Sequence, residues 1–315
     1  MSKHKVLLYS FRDNEADEYE KLVIAANLPI ELMVCRNKEQ AADAIVEAEI
    51  VFAVHLPPEV YAKAKNLKWI QSMWAGVDKL LTVSLPQNVI ITKPWGVFGQ
   101  YLSEYVFGYI LANRIKLREH MQAQAERVWR GHQLEQIKNT CLGIAGVGDI
   151  GQEIAHIAKS FGMQTWGLNR DGHPNKFIDK MFATKELASF VAGVDFLVLI
   201  LPSTNETIGM FNSEILERIK PSALLINVGR GALINEAALV EALKHNKIAG
   251  AVLDVFTQEP LPSDHPFWQL PNCIVTPHIG GPSLPLDITK CFVTNFHRYY
   301  EGKPLLGLID KEKGY

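Results

Sequence analysis

The chain has 315 residues, of which 48% are hydrophobic and 21% are charged, and its formal net charge is −2. This composition is ordinary for a folded globular protein, and the length favours two domains over one. Because acidic and basic residues are interleaved and nearly balanced, the sequence argues against a nucleic-acid partner.

Neither a secretory signal nor a membrane span is predicted. The N-terminal apolar run VLLYSF is too short for a signal peptide, and no later apolar run is long enough to cross a bilayer. We therefore expect a cytoplasmic protein with no membrane partner. The four cysteines (Cys35, Cys141, Cys273 and Cys291) are widely spaced, which favours reduced core thiols over disulfides or a metal site.

The first hundred residues alternate between apolar runs of strand length and helical patterns. Such alternation predicts a parallel α/β architecture. Five strands are predicted, at residues 6–10, 30–34, 50–54, 67–72 and 89–92. With helical patterns between them, this segment is able to form a small doubly wound domain by itself.

A second α/β series follows a helical connection. Residues Leu102 to Trp129 contain no proline and predict one long helix. Six further strands are predicted, at residues 141–145, 164–168, 196–201, 223–227, 249–254 and 273–276. Six strands with intervening helices are what a dinucleotide-binding sheet requires. A last helix, at about 286–301, is expected to return to the first domain.

A glycine-rich turn opens the second series. Gly146-Val-Gly148-Asp-Ile-Gly151 is a GxGxxG sequence, and glycines also cluster in purely structural turns. Here it follows an apolar strand and opens a helix, which is the context of a dinucleotide site. Gly146 permits the turn, Gly148 admits a pyrophosphate, and Gly151 lets the helix pack closely. The amides of Asp149 and Ile150 would then face the phosphates, with the Asp149 carboxylate in solvent.

Three later segments place polar side chains just past strand ends. They are Arg230 in NVGRG, Asp254 and Glu259 in LDVFTQEP, and His278 in TPHIGG. Ligands of open α/β sheets bind at the carboxyl ends of strands, so these side chains are able to converge. A guanidinium can hold the carboxylate of a 2-oxo acid in a planar fork, and a histidine can protonate its carbonyl. A carboxylate beside that histidine raises its pKa.

Each segment alone also has a structural interpretation, as a loop anchor, a solvated turn or a strand end. Together, the motifs GVGDIG, NVGRG, LDVFTQEPLP, HPFWQLPN and TPHIGG resemble the D-2-hydroxyacid dehydrogenase family over essentially the whole chain. The resemblance implies two doubly wound parallel-sheet α/β domains. A flavodoxin-like substrate domain would cover residues 1–101, completed by the C-terminal segment 283–315, and a Rossmann-type NAD(P)-binding domain would cover residues 102–282.

By this resemblance, Arg230 binds substrate, His278 is the acid and base, and Glu259 orients and charges His278. Asp254 would lie near the nicotinamide carboxamide. The loop SMWAGVD resembles the family's substrate loop, with substrate contacts implied at Trp74, Ala75 and Gly76. Further cofactor contacts are implied at Leu201, Pro202, Thr207, Val228 and Gly280.

The segments HLPPEV, AGVD, QYLSEY and KEKGY make the chain most similar to the glyoxylate/hydroxypyruvate reductase branch. Members are usually dimers, which implies a homodimer with the helix after Leu102 and the segment near Trp129 at its interface. An alternative of another class is a non-catalytic, dinucleotide-sensing scaffold, since fold does not fix function.

The loop after the second strand of this series bears on the choice between NADPH and NADH. NAD-specific sites carry a carboxylate about 20 residues past the glycine turn, where this chain has Leu168 and Asn169. Neutral Asn169 does not repel a 2′-phosphate, and Arg170 can pair with it. The sequence therefore favours NADPH, with NAD possible if Asp171 turns inward.

Overall fold

The structure, a computed structural model, describes residues 3–12 and 14–314. The chain divides into two compact units, one comprising residues 1–98 and 282–315 and the other residues 99–281. Among the described residues, no helix has both the length and the apolar character needed to cross a membrane.

Unit 1 is built on a five-stranded sheet in which all neighbouring strands are parallel. Its strands are β1 (His4–Tyr9), β2 (Ile30–Cys35), β3 (Ile50–Ala53), β4 (Trp69–Ser72) and β5 (Ile90–Thr92). Their order, β2-β1-β3-β4-β5, is the flavodoxin-like order, as predicted. All five predicted strands are present, with small shifts at their ends.

Five helices flank this sheet in sequence. They are α1 (Glu15–Ala25), α2 (Lys38–Ala44), α3 (Pro58–Tyr61), α4 (Asp78–Leu81) and the C-terminal helix (Pro285–Tyr300). The C-terminal helix packs on the sheet through Phe292, whose ring stacks on Phe52 at 4.4 Å and on Trp69 at 5.5 Å between centroids. These rings are fully buried and form the centre of the core of unit 1.

Unit 2 contains a seven-stranded parallel sheet. Its strands are β6 (Cys141–Ala145), β7 (Gln164–Asn169), β8 (Lys180–Ala183), β9 (Phe196–Leu199), β10 (Leu224–Asn227), β11 (Gly250–Leu253) and β12 (Cys273–Val275). The order β12-β11-β10-β9-β6-β7-β8 reverses direction between β6 and β9, which places the ligand crevice of such a fold at the carboxyl ends of these strands.

The sequence predicted six of these strands and missed β8. This strand, Lys180-Met-Phe-Ala183, lies at the edge of the sheet and pairs only with β7. Its first residue is an exposed lysine, so no continuous apolar run marks it.

The helices of unit 2 correct a second prediction. They are α5 (Gly99–Arg114), α6 (Leu117–Ala125), α7 (Asp149–Ser160), α8 (Leu187–Ala192), α9 (Ser213–Leu216) and α10 (Glu236–Lys244), with 3₁₀ turns at Thr184–Glu186, Gly231–Leu233 and Pro266–Gln269. The predicted single helix from Leu102 to Trp129 is therefore wrong. Lys116 has a left-handed φ of 52°, which interrupts the helical hydrogen bonds between α5 and α6. Arg114 is the last residue of α5, and its guanidinium lies 4.9 Å from the centre of the Phe196 ring.

Three tryptophans of unit 2 differ widely in their exposure to solvent. Trp166 is half-buried, with its ring 5.1 Å from that of Phe182. Trp268 is half exposed and donates a hydrogen bond to the Pro262 carbonyl at 2.8 Å. Trp129 is fully exposed because it lies in the irregular segment between α6 and β6.

The four cysteines are buried thiols, in agreement with the prediction of reduced core residues. Burial raises the pKa of Cys35 to about 11 and those of Cys141 and Cys273 to about 12. These thiols are therefore core residues that stay protonated at neutral pH.

Candidate active site

The glycine turn joins β6 to α7 through backbone that other residues do not adopt. Gly146 has a φ of 109°, and a Cβ there would lie 2.9 Å from the carbonyl carbon of Ile200. A Cβ on Gly151 would lie 2.0 Å from the Gly146 oxygen, so the first turn of α7 packs directly on the end of β6. Both glycines are required by the fold itself.

Gly148 has a different environment, because a Cβ there would meet no atom within 4 Å. It is the N-cap of α7, and no side chain caps the helix. The exposed Asp149 and the half-buried Ile150 follow it in the first turn. Open space over uncapped helical amides, at the positive end of a helix dipole, suits a pyrophosphate, so these residues fit a dinucleotide cofactor.

The loop after β7 is shaped by Asn169. Its side-chain oxygen accepts a hydrogen bond from the Gly172 amide at 2.6 Å, and its side-chain nitrogen donates to the His173 carbonyl at 3.3 Å. The exposed Asp171 carboxylate lies 3.6 Å from His173 Nε2. Asn169 therefore folds the loop that carries Arg170, and Asp171 lies beside an exposed imidazole.

The loops after β9 and β10 continue the same edge of the sheet. The buried Thr207 hydroxyl donates to the Pro202 carbonyl at 2.7 Å and accepts from the Thr204 amide at 2.8 Å. Leu201 and Pro202 are half-buried, and Val228 is buried directly after β10. Thr207 thus holds the loop after β9 in one conformation.

Arg230 is positioned by a turn at the end of β10. The buried Asn227 side chain donates to the Arg230 carbonyl at 3.0 Å and accepts from the Gly229 amide at 3.1 Å. The Arg230 guanidinium donates to the Gly229 carbonyl at 2.7 Å. The next residue must be glycine, because a Cβ on Gly231 would lie 2.0 Å from the carbonyl carbon of Phe256.

His278 and Glu259 form a direct pair. His278 Nδ1 lies 2.8 Å from Glu259 Oε2, and Glu259 Oε1 accepts the Phe256 amide at 2.9 Å. The hydrogen bond to Glu259 raises the pKa of His278 against the opposing effect of burial, and the Asp254 charge adds to it. Burial alone would raise the pKa of Glu259, but its hydrogen bonds to His278 and Phe256 lower it. The Arg230 charge adds to the lowering of the Glu259 pKa and opposes the rise in the His278 pKa.

The pairing also settles which nitrogen of His278 is left for chemistry. A carboxylate on Nδ1 keeps the proton of the neutral ring on that atom and orients the imidazole. The His278 side chain is 55% exposed, so Nε2 is the nitrogen able to meet a ligand.

Asp254 holds the segment that carries His278. Its buried carboxylate accepts hydrogen bonds from the Thr276 hydroxyl at 2.6 Å and from the Ile279 and Gly280 amides, both at 2.9 Å. The Asp254 carbonyl accepts the His278 amide at 2.9 Å, and His278 has a left-handed φ of 54°. The unusual backbone at His278 is therefore held from both sides by one buried residue.

In unit 1, the predicted substrate loop begins at the carboxyl end of β4. The Ser72 hydroxyl donates to the Trp74 carbonyl at 2.9 Å and accepts the Trp74 amide at 3.0 Å. The Arg12 guanidinium lies 5.7 Å from the centre of the Trp74 ring. Ala75 and Gly76 follow and are half-buried.

Several residues at these sites were not singled out from the sequence. Thr276 belongs to the TPH motif, but the sequence predicted no role of its own for it. The Tyr105 hydroxyl lies 2.6 Å from Thr276 Oγ1. Since the Thr276 proton goes to Asp254, Tyr105 is the donor in that contact. Glu206 lies after β9 and pairs with Arg170 at 3.1 Å. The strand-end rule that found Arg230 could have found Glu206, whereas nothing local marks Tyr105 within α5.

No group of His, Cys, Asp or Glu suited to a metal ion occurs in the part of the chain that the structure describes. The site just described consists of hydrogen-bonding and charged organic groups.

Residues 107–280 match the family model for the NAD binding domain of D-isomer specific 2-hydroxyacid dehydrogenases. A glyoxylate/hydroxypyruvate reductase A of Serratia proteamaculans is 32% identical over 266 residues, covering 82% of this chain and 85% of the relative.

Two solved structures are similar to this chain over nearly its full length. A D-isomer specific 2-hydroxyacid dehydrogenase family protein of Aeromonas salmonicida is 40% identical, with a TM-score of 0.89 over 98% of this chain and 100% of the other. An NADPH-dependent glyoxylate/hydroxypyruvate reductase of Sinorhizobium meliloti, solved with NADP and sulfate, is 26% identical, with a TM-score of 0.91 over 99% of this chain and 100% of the other.

Proposed function

The chain belongs to the D-isomer specific 2-hydroxyacid dehydrogenase family, and we propose that it reduces a small 2-oxo acid, such as glyoxylate or hydroxypyruvate, to the D-2-hydroxy acid with NADPH. Membership makes it an NAD(P)-dependent oxidoreductase of the glyoxylate/hydroxypyruvate reductase branch. The observation that supports the substrate class is the pairing of His278 with Glu259 after β12 and β11, with Arg230 at the end of the neighbouring strand β10.

A bound nicotinamide cofactor supplies the hydride for this reaction. The turn from Gly146 to Gly151 would hold its pyrophosphate at the N-terminal amides of α7. The remaining proposed neighbours of the cofactor, at the carboxyl edge of the same sheet, are Leu201, Pro202, Thr207, Val228, Asp254 and Gly280.

Arg230 would hold the substrate carboxylate with two parallel N–H donors, which orients the adjacent carbonyl. As the carbonyl carbon is reduced, its oxygen takes up the proton from His278 Nε2. The imidazolium then becomes neutral and recovers a proton from solvent. Glu259 keeps the ring oriented through Nδ1 and stabilises the charged form, so that the proton is available near neutral pH.

Trp74, Ala75 and Gly76 of unit 1 are proposed as further substrate contacts. The amides of Ala75 and Gly76 take part in no hydrogen bond among the described residues, and free backbone amides are suitable donors to a carboxylate. The ordered Ser72–Trp74 turn supports their position.

NADPH is the proposed cofactor because Arg170, and no carboxylate, directly follows Asn169 at the end of β7. A charge-assisted contact from arginine to phosphate contributes about 1.5–3 kcal/mol, or roughly 10- to 150-fold in affinity. Arg170→Ala should therefore raise KM for NADPH about tenfold or more and leave KM for NADH nearly unchanged. A wild-type protein that prefers NADH would instead favour control by Asp171.

A homodimer is proposed from the apolar surface of unit 2. Exposed large hydrophobic side chains recur along α5, α6 and the segment that follows, at Leu111, Ile115, Leu117, Met121, Val128, Trp129 and Leu134. Apolar side chains concentrated in this way are typical of a protein–protein interface. Light scattering of the purified protein at micromolar concentration should give twice the mass of one chain. The double variant Trp129→Ser/Met121→Ser should shift the measured mass towards that of a single chain.

A panel of 2-oxo acids tests the function directly. NADPH consumption should be fastest with glyoxylate or hydroxypyruvate and slower with bulkier acids, and the reverse reaction should oxidise D-glycerate but not L-glycerate. Cofactor binding without turnover of any 2-oxo acid would favour the scaffold alternative instead.

A further inference from the structure

An ion pair connects two loops at the carboxyl edge of the sheet in unit 2. Arg170 follows β7, and Glu206 lies in the loop after β9. Arg170 Nη2 is 3.1 Å from Glu206 Oε2, with the two side chains 38% and 63% exposed.

The sheet order shows what this pair spans. β6 lies between β7 and β9, and adjacent strands are about 4.8 Å apart, so the two loops start about 10 Å from each other. The glycine turn emerges from the strand between them, ahead of α7. The Arg170–Glu206 pair therefore lies across the edge from which the phosphate-binding turn emerges.

We propose that Glu206 is a cofactor-specificity residue that competes with the 2′-phosphate of NADPH for the Arg170 guanidinium; this rests on the proposed NADPH preference. A phosphate monoester carries more negative charge than a carboxylate and offers more acceptor oxygens, so it displaces Glu206 from Arg170. NADH has only a 2′-hydroxyl and leaves the ion pair in place. Glu206 thus weakens NADPH binding while leaving NADH binding nearly unaffected. It therefore reduces the preference for NADPH over NADH that Arg170 creates.

Exposure sets the size of the effect. Exposed ion pairs are screened by solvent and alter an equilibrium constant by about 1.4- to 5-fold. A charge-assisted contact to phosphate is stronger, so Arg170 exchanges partners when the phosphate arrives. Glu206 therefore modulates the preference and does not reverse it.

Asp171 provides a matched control, because it is a second carboxylate beside Arg170. Its Oδ2 lies 3.6 Å from His173 Nε2, and its side chain is 60% exposed. Asp171→Asn removes one negative charge from the loop that carries Arg170. Glu206→Gln removes one negative charge from the loop after β9. A general electrostatic effect would follow both substitutions, whereas competition for Arg170 follows only the second.

The test is isothermal titration calorimetry of the full chain with NADP⁺ and with NAD⁺, at low ionic strength. The proteins are wild type, Glu206→Gln, Asp171→Asn, Arg170→Ala and the Arg170→Ala/Glu206→Gln double variant. Glu206→Gln should tighten NADP⁺ binding by about 1.4- to 5-fold and leave NAD⁺ binding unchanged within experimental error. The gain should be absent in the Arg170→Ala background.

Four results would overturn the proposal: no tightening for NADP⁺, equal tightening for both cofactors, an equal gain from Asp171→Asn, or an equal gain without Arg170. Weaker NAD⁺ binding in Glu206→Gln would also overturn it, because Glu206 would then be a ribose ligand. The wild-type ratio of the two affinities tests the proposed NADPH preference separately, so that either idea can fail alone.

Discussion

Two regions at the carboxyl edge of the same sheet are built in opposite ways. One region, termed the catalytic edge because it carries the proposed catalytic residues, comprises residues 227–231, 254–259 and 276–280. It is held by buried acceptors such as Asp254 and Asn227, which are 2% and 1% exposed. The selectivity loops, residues 169–173 and 203–207, meet through the exposed pair of Arg170 and Glu206. Proton transfer requires one fixed geometry, which buried hydrogen bonds supply. Discrimination between cofactors requires only a difference in charge, which exposed side chains provide without affecting the core.

The largest expected effect on kcat comes from His278, the proposed proton donor of the catalytic edge. His278→Ala should lower kcat by about 10²- to 10⁴-fold, the usual contribution of a positioned proton donor, with little change in cofactor affinity. Steady-state kinetics and NADP⁺ titration measure the two quantities. His245→Ala, at an exposed position after α10, is the control and should keep full activity. An active His278→Ala enzyme would remove this residue from the mechanism.

Arg230→Lys tests whether substrate binding requires the two parallel donors of a guanidinium or only a positive charge. Lysine keeps the positive charge but cannot present two parallel donors, so KM for the 2-oxo acid should rise by about 10- to 150-fold, and kcat should fall because the carbonyl is misaligned. The same change at the exposed Arg218, which pairs with Glu214 at 3.3 Å, should have no effect. Unchanged KM and kcat in Arg230→Lys would contradict the assignment.

Thr276 tests whether the catalytic edge depends on its buried support. Thr276→Val keeps the shape but removes the hydroxyl between Tyr105 and Asp254. The unfolding free energy should fall by about 1–3 kcal/mol, the cost of buried polar groups left unpaired, and kcat should fall with it. Denaturant unfolding and kinetics measure both, and Thr276→Ser should recover most of each loss. If Thr276→Val and Thr276→Ser have the same unfolding free energy and kcat, the hydrogen bonds of this hydroxyl do not hold the His278 segment.

The smallest expected change is a displaced pH profile. In the proposed mechanism reduction needs protonated His278, so the rate should fall as the pH rises through the pKa of that residue. The hydrogen bond to Glu259 raises this pKa, so Glu259→Gln should make the rate fall at a lower pH than in wild type. The rising limb of the reverse reaction, which needs neutral His278, should move in the same direction. A profile that matches that of the exposed control Glu214→Gln would count against the pairing.

Periodicity along the chain was enough to predict two parallel α/β sheets, because buried strands and amphipathic helices are marked by local apolar patterns. It was not enough for β8, whose exposed edge position leaves no apolar run, or for the break at Lys116, where neither glycine nor proline interrupts the helical pattern. Trp129 shows the same limit, since exposure depends on which elements cover a residue.

For the proposed site, the sequence predicted the glycine turn and the residues Arg230, Glu259 and His278, because each follows a strand and has side-chain chemistry suited to an anionic, carbonyl-bearing substrate. The contacts that hold these residues in place appear only in the folded structure. The sheet order brings Glu206 to Arg170, and the packing of α5 brings Tyr105 to Thr276 and thus to Asp254. Such partners are distant in sequence, and no local pattern encodes them, because hydrogen bonds and ion pairs form only between groups that the completed fold places within about 3 Å of each other.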